Sequence, residues 1–146
     1  MKKQDYSVTI TVNATAEEAF NCINNIAGWW TVVVEGSSER LNDVFTVRFG
    51  ETFITIKITE LVPYLKIGWQ VIDCHKHWLK DTKEWLNTKM TWDIAEVNNE
   101  MHISFTHIGL VPGIECYNGC EKAWDSYIKE SLYKLLMEGK GKPELR

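Results

Sequence analysis

The sequence predicts an α+β domain in which a curved antiparallel sheet packs against one long C-terminal helix. Two observations lead to this prediction. Apolar and polar residues alternate along several segments between residues 6 and 109, as they do in strands with one buried and one solvent-facing side. After residue 117 the apolar residues recur at helical spacing instead. A long amphipathic helix that follows a meander of strands lies across the sheet, because both apolar faces need a partner.

The first elements are a strand and two short helices. Every second residue from Tyr6 to Val12 is apolar, which predicts a strand with one wet face. Thr15 and Glu18 have the spacing of a capping box, in which a hydroxyl and a carboxylate satisfy free amides at a helix start. A second short helical or turn segment is predicted over residues 25–30.

An antiparallel meander follows. Gly50-Glu51 and Pro63 are turn signals, and Asn98-Asn99 favours a two-residue hairpin because Asn tolerates a positive φ. A polar stretch over residues 73–84 interrupts the alternation. The predicted strands cover residues 44–49, 52–61, 64–72, 86–97 and 100–109.

The chain ends in a predicted helix from Tyr117 to Glu138, roughly 30 Å long at 1.5 Å per residue. Gly139 stands where a helix C-cap glycine is expected. The apolar stripe of this helix consists of Trp124, Ile128, Leu132 and Leu135.

Length, charge and apolar content argue against several classes of function. The 146 residues suit a single domain, 1–146, and the net charge of −4 argues against binding a phosphate backbone. No apolar run approaches the ~20 residues of a membrane span, and the N-terminus lacks the apolar core of a signal peptide. The protein is therefore expected in the cytoplasm with reduced thiols. The four cysteines are Cys22, Cys74, Cys116 and Cys120.

Four parts of the sequence are informative together: residues 6–20 followed by Gly28-Trp29-Trp30, residues 58–63 followed by Ile67-Gly68-Trp69, residues 105–112, and residues 124–143. In this order they resemble the START-related SRPBCC superfamily, and most closely its subgroup homologous to the activator of the heat-shock-protein-90 ATPase. The resemblance implies the helix-grip fold, with six or seven strands around the C-terminal helix and two short helices after the first strand. Relatives include lipid and hormone carriers, polyketide cyclases and stress-response proteins.

Seven Trp and 12% aromatic residues indicate either a dense core or a cavity lined with rings. Strand and helix phase place one set of side chains in the interior between sheet and helix, with Leu65 on the same sheet face. His107 lies in phase within an apolar strand, where it either orients a ligand or is a core histidine bonded to a backbone group. The predicted ligand-binding residues are Trp30, Ile56, Trp69, Trp92, Phe105, His107, Cys120, Trp124 and Tyr127.

The leading functional prediction is non-catalytic binding of a small hydrophobic ligand in a cavity between the sheet and the C-terminal helix. One alternative is a protein-interaction module of stress-response or chaperone-activator type. The chain carries no appended region of the kind that eukaryotic chaperone activators use, so a chaperone role is doubtful. The other alternative is a cyclase- or hydratase-like enzyme. It needs two converging polar groups, and the sequence offers His107 with Tyr127 or Tyr117.

Metal and cofactor binding are not predicted. Cys74-His75-Lys76-His77 and the Cys116/Cys120 pair contain zinc-ligand residue types but match no zinc motif. No glycine-rich phosphate loop occurs either. The expected partner is a small hydrophobic molecule, and the expected state is a monomer or a homodimer.

Overall fold

Seven antiparallel strands form one sheet in the computed structural model, which describes residues 4–145. The strand order across the sheet is β1-β7-β6-β5-β4-β3-β2, so each consecutive pair from β2 to β7 is adjacent and β1 closes onto β7. The strands are β1 (Tyr6–Val12), β2 (Val34–Gly36), β3 (Val44–Phe49), β4 (Thr52–Val62), β5 (Lys66–His75), β6 (Lys89–Val97) and β7 (Glu100–Ile108).

Two short helices follow β1, and one long helix follows β7. The capping box predicted at Thr15 is present: its hydroxyl accepts from the Glu18 amide, and the Glu18 carboxylate accepts from the Thr15 amide, each at 3.0 Å. Gly139 ends the long helix in the left-handed conformation, as predicted. The helices are α1 (Ala16–Asn24), α2 (Ile26–Trp29), and a C-terminal helix made of α3 (Tyr117–Asp125), a π-helical segment (Ser126–Leu132) and α4 (Tyr133–Glu138).

The sheet bends around the C-terminal helix where β4 pairs with β5. The register shifts twice there, between Thr55 and Ile56 and between Ile58 and Glu60. An extra residue in one strand bends that strand and increases its twist. The inner face of this curve carries Ile54, Ile56 and Ile58, each at most 2% exposed, in the phase that their alternation predicts.

Indole rings fill the centre of the space between sheet and helix. Trp30 lies between Trp69 and Trp124, with ring centroids 6.1 and 5.0 Å away. Trp92 contacts Phe105 at 4.5 Å. The centre of the interior is therefore packed rather than open. The buried tryptophans of this layer, each at most 1% exposed, are Trp29, Trp30, Trp69, Trp92 and Trp124.

Three local features differ from the sequence prediction. Strand β2 was not predicted, because it has only three residues and no apolar alternation. Tyr64 has φ 66°, so it belongs to a turn and β5 starts two residues later than expected. Leu65, predicted on the inner face, lies beside that turn and is 59% exposed. Asn87 has φ 68°, which delays β6 to Lys89.

The cysteines also differ from expectation. The sulfur atoms of Cys116 and Cys120 lie in direct contact across one turn at the start of the C-terminal helix. This contact is at odds with the prediction that all four thiols are reduced, whereas Cys22 and Cys74 are free. In residues 4–145, no helix is both long and apolar enough to cross a membrane.

Candidate functional site

A cavity of about 360 Å³ opens at one end of the helix–sheet interface. Its floor is the edge of the buried tryptophan layer, where Trp30 and Trp124 contact it. The β3–β4 turn region forms one wall, the β5–β6 connection a second, and the C-terminal helix a third. The lining residues are Trp30, Phe49, Thr52, Ile54, Lys76, Trp78, Trp85, Gly119, Cys120, Ala123, Trp124, Tyr127 and Glu144.

The β5–β6 connection, residues 76–88, folds back on itself and forms the second wall of the cavity. Leu79 and Trp85 anchor it in the core, each 4% exposed. The Glu84 carboxylate accepts hydrogen bonds from the amides of Glu115 and Cys116, at 3.2 and 2.9 Å. Because these amides precede the C-terminal helix, the carboxylate also suits the positive end of its dipole. The connection and the helix start are therefore held together as two sides of one pocket.

Lys76 is the charged residue that this wall buries. It is 6% exposed, and its ammonium lies 4.0 Å from the centre of the Trp85 ring and 5.2 Å from that of Trp78. Both rings present the negative side of their quadrupole to the cation. Burial lowers the pKa of Lys76 to about 8, and the nearby Cys74 and Glu84 only partly oppose this shift.

His107 lies next to the cavity but does not reach it. The indole N–H of Trp124 donates to His107 Nδ1 at 3.1 Å, and an indole can only donate. His107 Nδ1 is thus an acceptor, so Nε2 carries the proton and donates to Thr88 Oγ1 at 2.9 Å. Thr88 in turn donates to the Trp85 carbonyl at 2.7 Å. Burial and the charge of Lys76 lower the pKa of His107 to about 3, which keeps the ring neutral.

The structure divides the nine predicted ligand-binding residues into two groups. Four of them line the cavity: Trp30, Cys120, Trp124 and Tyr127. The other five are at most 1% exposed and are packed in the core behind it. They are not among the residues that line this cavity, so their part in ligand binding stays a prediction. These five are Ile56, Trp69, Trp92, Phe105 and His107.

The polar pair required by the enzyme alternative is not assembled. Both His107 nitrogens are bonded within the protein. Tyr117 bonds to Glu121, which raises the pKa of its phenol, and it lies outside the cavity lining. Tyr127 does line the cavity, and its hydroxyl donates to Glu144 Oε1 at 3.4 Å. Burial raises the pKa of Tyr127 well above its usual value, so it stays protonated.

Sequence reasoning missed Lys76, Trp78 and Trp85, which make up much of one wall. They fall in or beside the polar stretch that interrupts the strand alternation, where no periodicity predicts an orientation. The available signal was the presence of two tryptophans in an otherwise polar connection, since binding residues concentrate on such loops. Their neighbour His77 points elsewhere and pairs with Glu51 at 2.8 Å. Within the described part of the chain, no three His, Cys, Asp or Glu side chains are grouped to hold a metal.

Comparisons with known proteins found matches among solved structures. The solution structure of the Aha1 dimer from Colwellia psychrerythraea matches with a TM-score of 0.77 and 21% identity, over 94% of this chain and 99% of that one. The match shows that the chain has the helix-grip fold, in which an antiparallel sheet packs around a C-terminal helix.

Two further matches show the same fold. A structure from Mesorhizobium loti has a TM-score of 0.70 and 13% identity, over 89% of this chain and 96% of that chain. DynU16, a putative protein in the dynemicin biosynthetic locus, has a TM-score of 0.71 and 14% identity, over 92% of this chain but 48% of DynU16. No protein-family model matches the chain, and no curated protein matches it.

Proposed function

We propose that this domain binds a small hydrophobic molecule, without catalysis, in the cavity at the start of the C-terminal helix. The observation that carries this proposal is the cavity lining, in which six tryptophan, phenylalanine and tyrosine rings surround about 360 Å³ of space. These six rings are those of Trp30, Phe49, Trp78, Trp85, Trp124 and Tyr127.

The size and the mouth of the cavity narrow the class of ligand. Its volume is at the low end of the range for ligand pockets, which favours a compound of one to three flat rings over a sterol. Trp78 lies at the mouth and is 57% exposed, an unusual environment for so large an apolar side chain. A bound ligand would cover part of this ring and bury its own apolar area, at about 25 cal/mol per Å².

The test is a thermal-shift screen of flat and long apolar compounds, combined with intrinsic tryptophan fluorescence. A ligand that binds only the folded state stabilises it by RT ln(1 + [L]/Kd), about 2.7 kcal/mol at 100 times Kd. Indole emission responds to local polarity, so displacement of water beside Trp30, Trp85 and Trp124 is expected to change the emission saturably.

A matched pair of variants locates the binding site. Ala123 lines the cavity on the helix, so Ala123→Phe should fill it and abolish the shifts. Ala95 is exposed on β6 and is not among the cavity residues, so Ala95→Phe should leave binding as in the wild type. Equal loss of binding in both variants, or no shift with any compound, would contradict the proposal.

Self-association is a second candidate function, and one comparison favours it: the matched Aha1 from Colwellia psychrerythraea is a dimer. Light scattering after size-exclusion chromatography distinguishes a chain of 16.9 kDa from its dimer. A monomer at every concentration tested would remove this candidate. A dimer whose dissociation follows ligand addition would connect the two candidates.

A further inference from the structure

The ammonium of Lys76 is a buried cation that has no anionic partner among residues 4–145. Among residues 4–145, the ion pairs and side-chain hydrogen bonds do not include it. The nearest acidic influence is Glu84, whose carboxylate oxygens already accept from two backbone amides at the helix start. Burying a charge without a partner is costly, and two indole faces compensate for only part of that cost.

The cavity has opposite polar character at its two ends. Lys76 and Thr52 lie on the side formed by the β5–β6 connection and the start of β4. Thr52 Oγ1 accepts from the His77 amide at 3.2 Å, which leaves its hydroxyl proton available as a donor. Tyr127 and Glu144 also line the cavity, and the Glu144 carboxylate repels an anion. Only the end with Lys76 and Thr52 offers both a positive charge and a free hydroxyl donor.

We infer that the pocket is selective for small hydrophobic carboxylates, with Lys76 as the residue that binds the carboxylate group. This inference rests on the proposed function, since it assigns the ligand class of the same cavity. The ring system of the ligand packs on Trp30, Trp124 and Phe49, and its carboxylate pairs with the Lys76 ammonium and accepts from the Thr52 hydroxyl. Binding supplies the missing counter-ion, which favours the protonated form of a lysine whose pKa burial lowers to about 8.

The inference is tested by calorimetric titration with two matched probe pairs. These are 1-naphthaleneacetate with its methyl ester, and decanoate with methyl decanoate. At pH 7 the wild type is expected to bind an acid at least tenfold more tightly than its ester, equivalent to about 1.4 kcal/mol. Lys76→Met keeps a side chain of similar length without the charge. It should weaken acid binding at least tenfold and leave ester binding within about twofold.

The control is Lys80→Met, which removes an exposed lysine of the same connection that does not line the cavity. It should bind acid and ester as the wild type does. Lys76→Met should fold and melt at a higher temperature than the wild type, because it removes a buried charge. Lys76→Arg, which keeps the charge, should retain the preference for acids.

The outcomes separate this inference from the function on which it rests. Equal binding of acid and ester by the wild type, or an acid preference that persists in Lys76→Met, overturns the role of Lys76 and leaves ligand binding in place. If no member of either pair binds the wild type, the proposed function is contradicted and the inference falls with it. An equal loss of acid binding in Lys80→Met would show that only the general surface charge matters, which also overturns it.

Discussion

At the scale of single residues, the ring of Trp85 separates two buried bases with opposite properties. It contacts His107 edge-on at 4.5 Å and presents its face to Lys76 at 4.0 Å. His107 has a partner for each nitrogen and is neutral, whereas the Lys76 ammonium has neither a hydrogen bond nor an ion pair among the described residues. A buried polar group whose hydrogen bonds are all made helps to rigidify the core. A polar group that lacks a partner beside a cavity is available to bind a ligand.

The neutrality of His107 predicts how stability depends on pH. Its pKa is about 3 in the folded protein and about 6.5 when unfolded. Between these values the unfolded chain binds a proton that the folded chain does not, so stability falls as the pH falls through this window, by up to about 1.4 kcal/mol per pH unit. Urea unfolding from pH 7 to 4 should therefore show a shallower dependence in His107→Gln than in the wild type.

The control for this prediction is His102→Gln, on the same strand. His102 is half-buried and lies outside the hydrogen-bonded chain that links Trp124, His107 and Thr88, so the variant removes a histidine of this strand without disturbing that chain. Identical slopes for the wild type and His107→Gln would show that His107 is charged in the folded state. NMR of the ring nitrogens should independently find the proton on Nε2.

The sequence could predict His107 but not Lys76, and the reason is geometric. A strand has a side-chain period of two, so the apolar neighbours Ile103 and Phe105 establish that His107 faces inward. Residues 76–88 have no regular period, and the orientation of Lys76 depends on tertiary contacts such as the bond between its amide and the Thr82 carbonyl. The partners of His107 could not be predicted either, because Thr88 lies in the β5–β6 connection and Trp124 lies in the C-terminal helix.

At the scale of elements, the C-terminal helix contains a π-helical segment between its two α-helical parts. The helix was predicted over its full length, because its apolar stripe continues to Leu135. The π-helical segment was not predicted, since sequence periodicity does not distinguish one wide turn. This segment carries Tyr127, which lines the cavity, and Ser131, which is 2% exposed and bonds to two other parts of the chain. It therefore connects the pocket with the rest of the fold.

Ser131 provides the prediction at this scale. Its hydroxyl donates to the Trp29 carbonyl at 2.6 Å and accepts from the Lys142 amide at 2.8 Å. Ser131→Ala leaves both groups without that partner, at an expected cost of about 1–3 kcal/mol in the free energy of unfolding. Ser126→Ala, at an exposed position of the same segment, should cost less than about 0.5 kcal/mol. Urea denaturation compares the two variants, and equal costs would contradict the anchoring role.

At the scale of the whole molecule, the last residues of the described chain complete the pocket. The Glu144 amide donates to the Trp30 carbonyl, and the Val32 amide donates to the Glu144 carbonyl, each at 2.9 Å. This parallel bridge brings the Glu144 side chain to the cavity, next to Tyr127. The sequence predicted Gly139 as the helix end, but the return of the tail depends on contacts between distant segments and could not be read from any local pattern.

The chain after Gly139 packs closely against neighbouring backbone at Gly141, and this close approach gives the final prediction. A methyl group there would lie 2.5 Å from the Gly28 carbonyl oxygen and 2.8 Å from that of Ser131. Both are backbone atoms, so Gly141→Ala should displace the tail and cost about 1–3 kcal/mol. The melting temperature should fall by several degrees, and affinity for the acid probe should change because Glu144 leaves the cavity wall.

Gly119→Ala is the control, since its methyl group meets only Trp78 at 3.8 Å. It lies inside a helix, where alanine is favoured over glycine, so its stability should be equal to or above that of the wild type. A Gly141→Ala variant that melts with the wild type would show that the tail is not tightly packed against α2 and the C-terminal helix.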